Sequence, residues 1–75
     1  MDRLTKRQYE VLRYIKIYMS KKSYPPTRQE ISDHFNFKSL NAANDHLLAL
    51  HKKGFIELKP GLSRGISIIW SSMNG

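Results

Sequence analysis

Asn41 and Asn44, three residues apart, are the side chains in this sequence best suited to reading another molecule. An i, i+3 pair on a helix projects to one side. An asparagine amide can bond adenine at two atoms, a contact worth about 1–3 kcal/mol of discrimination between bases. Short side chains surround the pair. Asp45 could accept from a cytosine amino group, while Ser39 and Ala42 could meet a phosphate and a thymine methyl. The competing reading is an ordinary solvent-facing polar surface. Arg28, Lys38, Lys52, Lys53 and Arg64 stand in places that suit gripping phosphates. Any one of them alone reads as solubilising charge. Together, about four to six such contacts would make log affinity fall with log salt at a slope near −0.9 per contact.

Other chemistries find little support. His34, His46 and His51 invite a metal reading, but His46 and His51 are five apart and so lie off a common helix face. The chain has 0 cysteines, which excludes disulfides, thiolate zinc sites and cysteine nucleophiles. Gly61-Leu62-Ser63-Arg64-Gly65 has the Gly-x-Ser-x-Gly spacing, but not at the strand-to-helix turn that a nucleophile elbow needs. Gly61 and Gly65 flank a turn rather than a helix start, so no phosphate-cradling glycine loop is present. The expectation is a non-enzyme without metal or cofactor.

Local signals define the elements that must hold these residues. Thr5-Lys6-Arg7-Gln8 is a capping box, with Leu4 and Tyr9 placed for a hydrophobic staple. Val11, Leu12, Ile15, Tyr18 and Met19 follow at helical spacing, which predicts a helix over 6–20 ending before Pro25-Pro26. A second capping box, Thr27-Arg28-Gln29-Glu30, opens a short helix over 28–35, and Asn36 is suited to the left-handed stop. Phe37 should tuck back on the core. Ser39 is the expected N-cap of a third helix over 40–53. Leu40, Ala43, Leu47 and Leu50 form its buried side, Asn41, Asn44, Asp45, Leu48 and Lys52 its outward side, and Gly54 its terminator. The period then changes. Phe55–Lys59 and Ile66–Trp70 are rich in branched and aromatic residues, with turn chemistry from Pro60 to Gly65 between them. An antiparallel hairpin with Arg64 at its basic tip is expected.

Size and charge bound the class. At 75 residues there is room for one domain, expected over 1–70, with a flexible tail over 71–75. Thirteen Lys and Arg against six acids, a net charge of +7, make a polyanion the first partner to consider. No apolar run reaches the ~20 residues of a membrane span, and the first residues lack a signal peptide's apolar stretch. A cytoplasmic protein without membrane contact is the expectation.

A short capped helix, a tight turn and a longer helix form the helix-turn-helix pattern, whose second helix enters a major groove about 12 Å wide. At this point the residues resemble the amino-terminal DNA-binding domain of the LexA repressor family of bacterial SOS-response regulators. The matching stretches are Leu4-Thr5-x-Arg7-Gln8-x-Glu10-Val11, Pro25-Pro26-Thr27-Arg28-x-Glu30-Ile31, Phe37-Lys38-Ser39-x-Asn41-Ala42-Ala43, His46-Leu47-x-Ala49-Leu50, Lys53-Gly54-x-Ile56-Glu57 and Ser63-Arg64-Gly65-Ile66. The resemblance runs over about residues 4–69. It implies a mainly α, three-helix winged helix-turn-helix with a small β-hairpin as the wing. It also implies major-groove reading by Ser39, Asn41, Ala42, Asn44 and Asp45. Two positions depart from the family's pattern. Family members usually carry acids at both Asn44 and Asp45, and proline at Leu40. Asn44 thus exchanges an acceptor-only group for one that also donates. The family's carboxy-terminal half, with its dimerisation and serine–lysine self-cleavage, has no counterpart in these 75 residues. A natural short form, as from a phage or other mobile element, is expected, with an excised domain of a longer self-cleaving repressor as the alternative.

The function expected is a sequence-specific regulator of transcription, acting as a repressor by occlusion on a palindromic double-stranded DNA operator. One small domain offers limited interface, so a homodimer on DNA is expected, with Ile66–Trp70 as the candidate pairing strand. The rival is a protein-interaction module that docks on a host repressor or polymerase through that strand or the first helix.

Overall fold

The computed structural model describes residues 3–70. The helices are α1 (Lys6–Lys22), α2 (Arg28–Phe35) and α3 (Leu40–Lys52), followed by strands β1 (Ile56–Leu58) and β2 (Ile66–Ile68). The strands pair antiparallel, Ile56 opposite Ile68 and Leu58 opposite Ile66. This is the winged helix-turn-helix arrangement. The expected tail over 71–75 lies outside the described residues.

Both capping boxes form as expected. The Gln8 N–H donates to Thr5 Oγ1 at 3.1 Å, and the Thr5 N–H to Gln8 Oε1 at 3.0 Å. Glu30 and Thr27 reciprocate in the same way at 3.0 and 2.9 Å. α1 continues to Lys22, two residues beyond the expected end at 20. Polar residues did not stop it: Lys21 and Lys22 favour the negative end of a helix. Ser23 closes it instead, in a left-handed conformation (φ 68°) with its N–H on the Met19 carbonyl. Asn36 ends α2 the same way, at φ 56°.

The core lies where α1, α2, α3 and the hairpin converge. Val11, Ile15, Ile31, Leu47, Leu50 and Ile56 are fully enclosed. Phe35 and Phe37 pack against this cluster from one side, as expected of Phe37. Leu40 corrects the expected buried face of α3: it is 46% exposed. Helical side chains lean towards the N-terminus, and Leu40 is the first helical residue, so it leans past the end of α3 rather than over a preceding turn. The strands are shorter than expected, but hydrogen bonds continue their ladder. Ile69 N–H donates to Phe55 O at 3.0 Å, and Lys59 N–H to Gly65 O at 2.8 Å.

Candidate nucleic-acid interface

α3 has two unlike sides. Ala43, Leu47 and Leu50 face the core with no exposed surface. Asn41, Asp45, Leu48 and Lys52 face solvent, and Asn44 lies half-buried at the edge of that side. The outward residues contain one cation and one anion among neutral polar and apolar groups, unlike a charged solvating face. Ala42 is half-buried and Ser39 exposed, so the start of α3 presents Ser39, Asn41, Ala42, Asn44 and Asp45 together. Ser39 occupies the N-cap position but makes no side-chain cap bond, unlike Thr5 and Thr27.

The turn that aims this helix is braced by rings. Phe37 N–H donates to Ser32 O at 2.9 Å. Its ring stacks on Phe35 at 5.4 Å and His46 at 5.3 Å, and the Arg7 guanidinium lies 5.5 and 5.8 Å from the Phe35 and Phe37 centroids. Burial pushes His46 below the ordinary imidazole range; Arg7 adds to this and Asp45 opposes it. These contacts join α1, α2 and α3, so the outward side of α3 is held against a rigid support.

The five expected phosphate contacts divide. Lys38 and Lys52 are exposed, and among the described residues neither side chain makes a hydrogen bond or ion pair. Arg28, in the first turn of α2, donates from Nε to Asn44 Oδ1 at 2.8 Å. Lys53 is turned away: its Nζ donates to Arg3 O at 2.6 Å and to Gln8 Oε1 at 2.7 Å. Arg64 corrects the picture of a free basic tip. Its guanidinium folds back on α2, 2.7 and 3.0 Å from the two Glu30 carboxylate oxygens and 2.8 Å from Pro25 O. Its carbon centre also sits 4.6 Å from the Tyr24 ring centroid. The Arg64 hydrogen bond, then the Thr27 backbone N–H, hold the Glu30 carboxyl at about 2. Glu30 also accepts from Tyr18 Oη at 3.0 Å. Sequence reasoning missed Glu30 and Tyr18, because a pairing across 34 residues leaves no local pattern.

The three histidines are dispersed. His34 stacks on Tyr14 at 4.0 Å, and His51 Nδ1 donates to Ile56 O at 3.1 Å. No group of three or more His, Asp or Glu among the described residues could hold a metal ion. No described helix is long and apolar enough to cross a membrane. Ile66 and Ile68 point into the core, so the 66–70 segment offers Trp70, 56% exposed, as its large apolar group.

Residues 1–65 match the family described as the LexA DNA binding domain. The chain is 56% identical over 69 residues to the LexA repressor of Aeromonas salmonicida, covering 92% of this chain and 33% of that protein. It is 54% identical over 68 residues to the LexA repressor of Hahella chejuensis, covering 91% of this chain and 34% of that protein. The LexA repressor of Pseudomonas chlororaphis is likewise 54% identical over 68 residues, covering 91% of this chain and 34% of that protein. The chain thus spans about a third of the length of these relatives.

Proposed function

The chain belongs to the LexA DNA-binding domain family, and on that premise we propose that it binds a double-stranded DNA operator in a sequence-specific way and represses transcription by occluding it. The observation that carries this reading is the outward side of α3. Its neutral polar groups are the kind that pair with base edges, on a helix held by the braced turn before it. In this reading Ser39, Asn41, Ala42, Asn44 and Asp45 face the major groove. Arg28, Lys38 and Lys52 contact phosphates. Lys53 and Arg64 hold the fold together and join the phosphates only by giving up intramolecular partners. The domain's longest extent is 31 Å, close to the ~34 Å between half-sites one helical turn apart. Two copies side by side on a palindrome therefore fit the proposal.

The test is selection of bound sites from a random DNA pool, followed by titration of the selected site. Asn41→Ala should reduce the preference for that site over random DNA by about 1–3 kcal/mol, leaving the salt-sensitive background binding in place. An unchanged preference would remove Asn41 from the reading face.

A further inference from the structure

The hydrogen bond between Arg28 and Asn44 decides which end of the Asn44 amide is left for a ligand. Every guanidinium nitrogen is a donor and none accepts. The Arg28 Nε therefore has to meet the carbonyl oxygen, Oδ1, as it does at 2.8 Å. Among the described residues Asn44 Nδ2 has no hydrogen-bond partner, and no buried side-chain nitrogen or oxygen is unpartnered. Nδ2 must therefore reach solvent. By the same argument, so must the two terminal nitrogens of Arg28.

We infer that Asn44 acts as a hydrogen-bond donor set by Arg28, and that it selects a base presenting acceptors, guanine first, over cytosine. This deepens the function proposed above and rests on it. A free asparagine could offer both ends of its amide and grip adenine at two atoms. That remains open to Asn41, whose side chain has no protein hydrogen bond among the described residues. Asn44 Oδ1 already accepts from Arg28 of α2, which leaves both Nδ2 hydrogens but only one acceptor lone pair for a ligand. Its remaining N–H groups match guanine N7 and O6 or thymine O4, whereas the cytosine amino group would meet donor against donor. Asn44 is the specificity-determining residue and Arg28 a positioning residue. The terminal nitrogens of Arg28 stay open to a phosphate at the start of α2, so one guanidinium couples backbone grip to base choice.

The experiment measures affinity for the selected site with all four base pairs at each position, using the intact chain and its variants. One position should prefer guanine over cytosine by about 5- to 150-fold. Asn44→Asp, which can keep the Arg28 contact but turns an acceptor outward, should reverse that order in favour of cytosine. Arg28→Ala frees the amide to rotate, so the ratio should fall to within about twofold while overall affinity also drops. Lys38→Ala serves as the control for a plain phosphate contact: it should weaken all four sequences equally. Retention of the original base order in Asn44→Asp would overturn the donor assignment. An undiminished ratio in Arg28→Ala would overturn the positioning role. Should Arg28→Ala fail to fold by circular dichroism, the near-isosteric Asn44→Asp still decides the assignment. A pool that yields no preferred site would instead defeat the operator reading itself, and this inference with it.

Discussion

Arg28 stands in the first turn of α2 and reaches α3, Arg64 reaches α2 from the wing, and the two are left in opposite electrical states. Arg28 makes one hydrogen bond to a neutral amide, so its positive charge is uncompensated. Arg64 is matched by a carboxylate at two oxygens, with a carbonyl and a tyrosine ring beside it. One corner therefore keeps a cation for a ligand, and the other uses a cation as a strut. The contrast shows that a count of basic residues overstates the charge available to a polyanion. What matters is which cations the fold has left uncompensated.

The largest test of this contrast is at the wing's narrowest point. A Cβ at Gly65 would lie 2.6 Å from the Lys59 carbonyl oxygen, a backbone atom that cannot swing aside. Gly65→Ala should cost about 1–3 kcal/mol of stability by denaturant unfolding. It should also loosen Arg64 from Glu30 while leaving the Arg28 corner unchanged. An unaltered unfolding midpoint would show that the hairpin adjusts without penalty, and that the strut does not depend on its geometry.

Next in size is the strut itself. Arg64→Ala and Glu30→Gln, combined in a double-mutant cycle, should show coupling of about 0.5–1 kcal/mol, since the pair is about one-third exposed. Its pH signature follows from the depressed carboxyl. The unfolded chain takes up a proton near 4.5, the folded chain only near 2. The unfolded state therefore binds more protons between those values, and stability falls as pH drops through that window. Above about pH 5 the contribution should be complete. Glu30→Gln keeps the reach of the capping box and should flatten this part of the curve. An equally steep acid decline in that variant would assign the pH dependence to other groups.

The smallest effect sharpens the comparison most. Removing Lys38 or Lys52 should reduce the slope of log affinity against log salt by about 0.9 each. Removing Arg64 or Lys53 should leave the slope nearly unchanged despite the same loss of formal charge. Equal reductions in all four variants would mean that DNA draws the tied cations out of their intramolecular contacts.

Most of the architecture was legible in the sequence because it rests on short-range physics. The capping boxes at Thr5 and Thr27, the left-handed Asn36 and the 3.6-residue spacing of Ala43, Leu47 and Leu50 each involve neighbours within a few positions. Ser23 was not legible. A serine at positive φ has no strong local signature, so α1 ran on until geometry rather than composition ended it. Leu40 misled because periodicity counts faces and ignores where a helix begins. At the candidate site, the set of residues on the outward side of α3 was readable. The fate of each cation was not: Lys53 to Gln8 and Arg64 to Glu30 are pairings across 45 and 34 residues. Only the packed tertiary structure brings them within reach.

The Lys53 contact also has a consequence in time. Its ammonium fastens the end of α3 to the approach to α1, closing a loop of about fifty residues. Closing so long a loop early is entropically unfavourable, so this clasp should form after the folding barrier and break before the core does. Lys53→Met should therefore hasten unfolding and leave the refolding rate nearly as it was. Stopped-flow mixing would show the reverse, slower refolding with an unchanged escape rate, if the two ends of this loop meet before the helices pack.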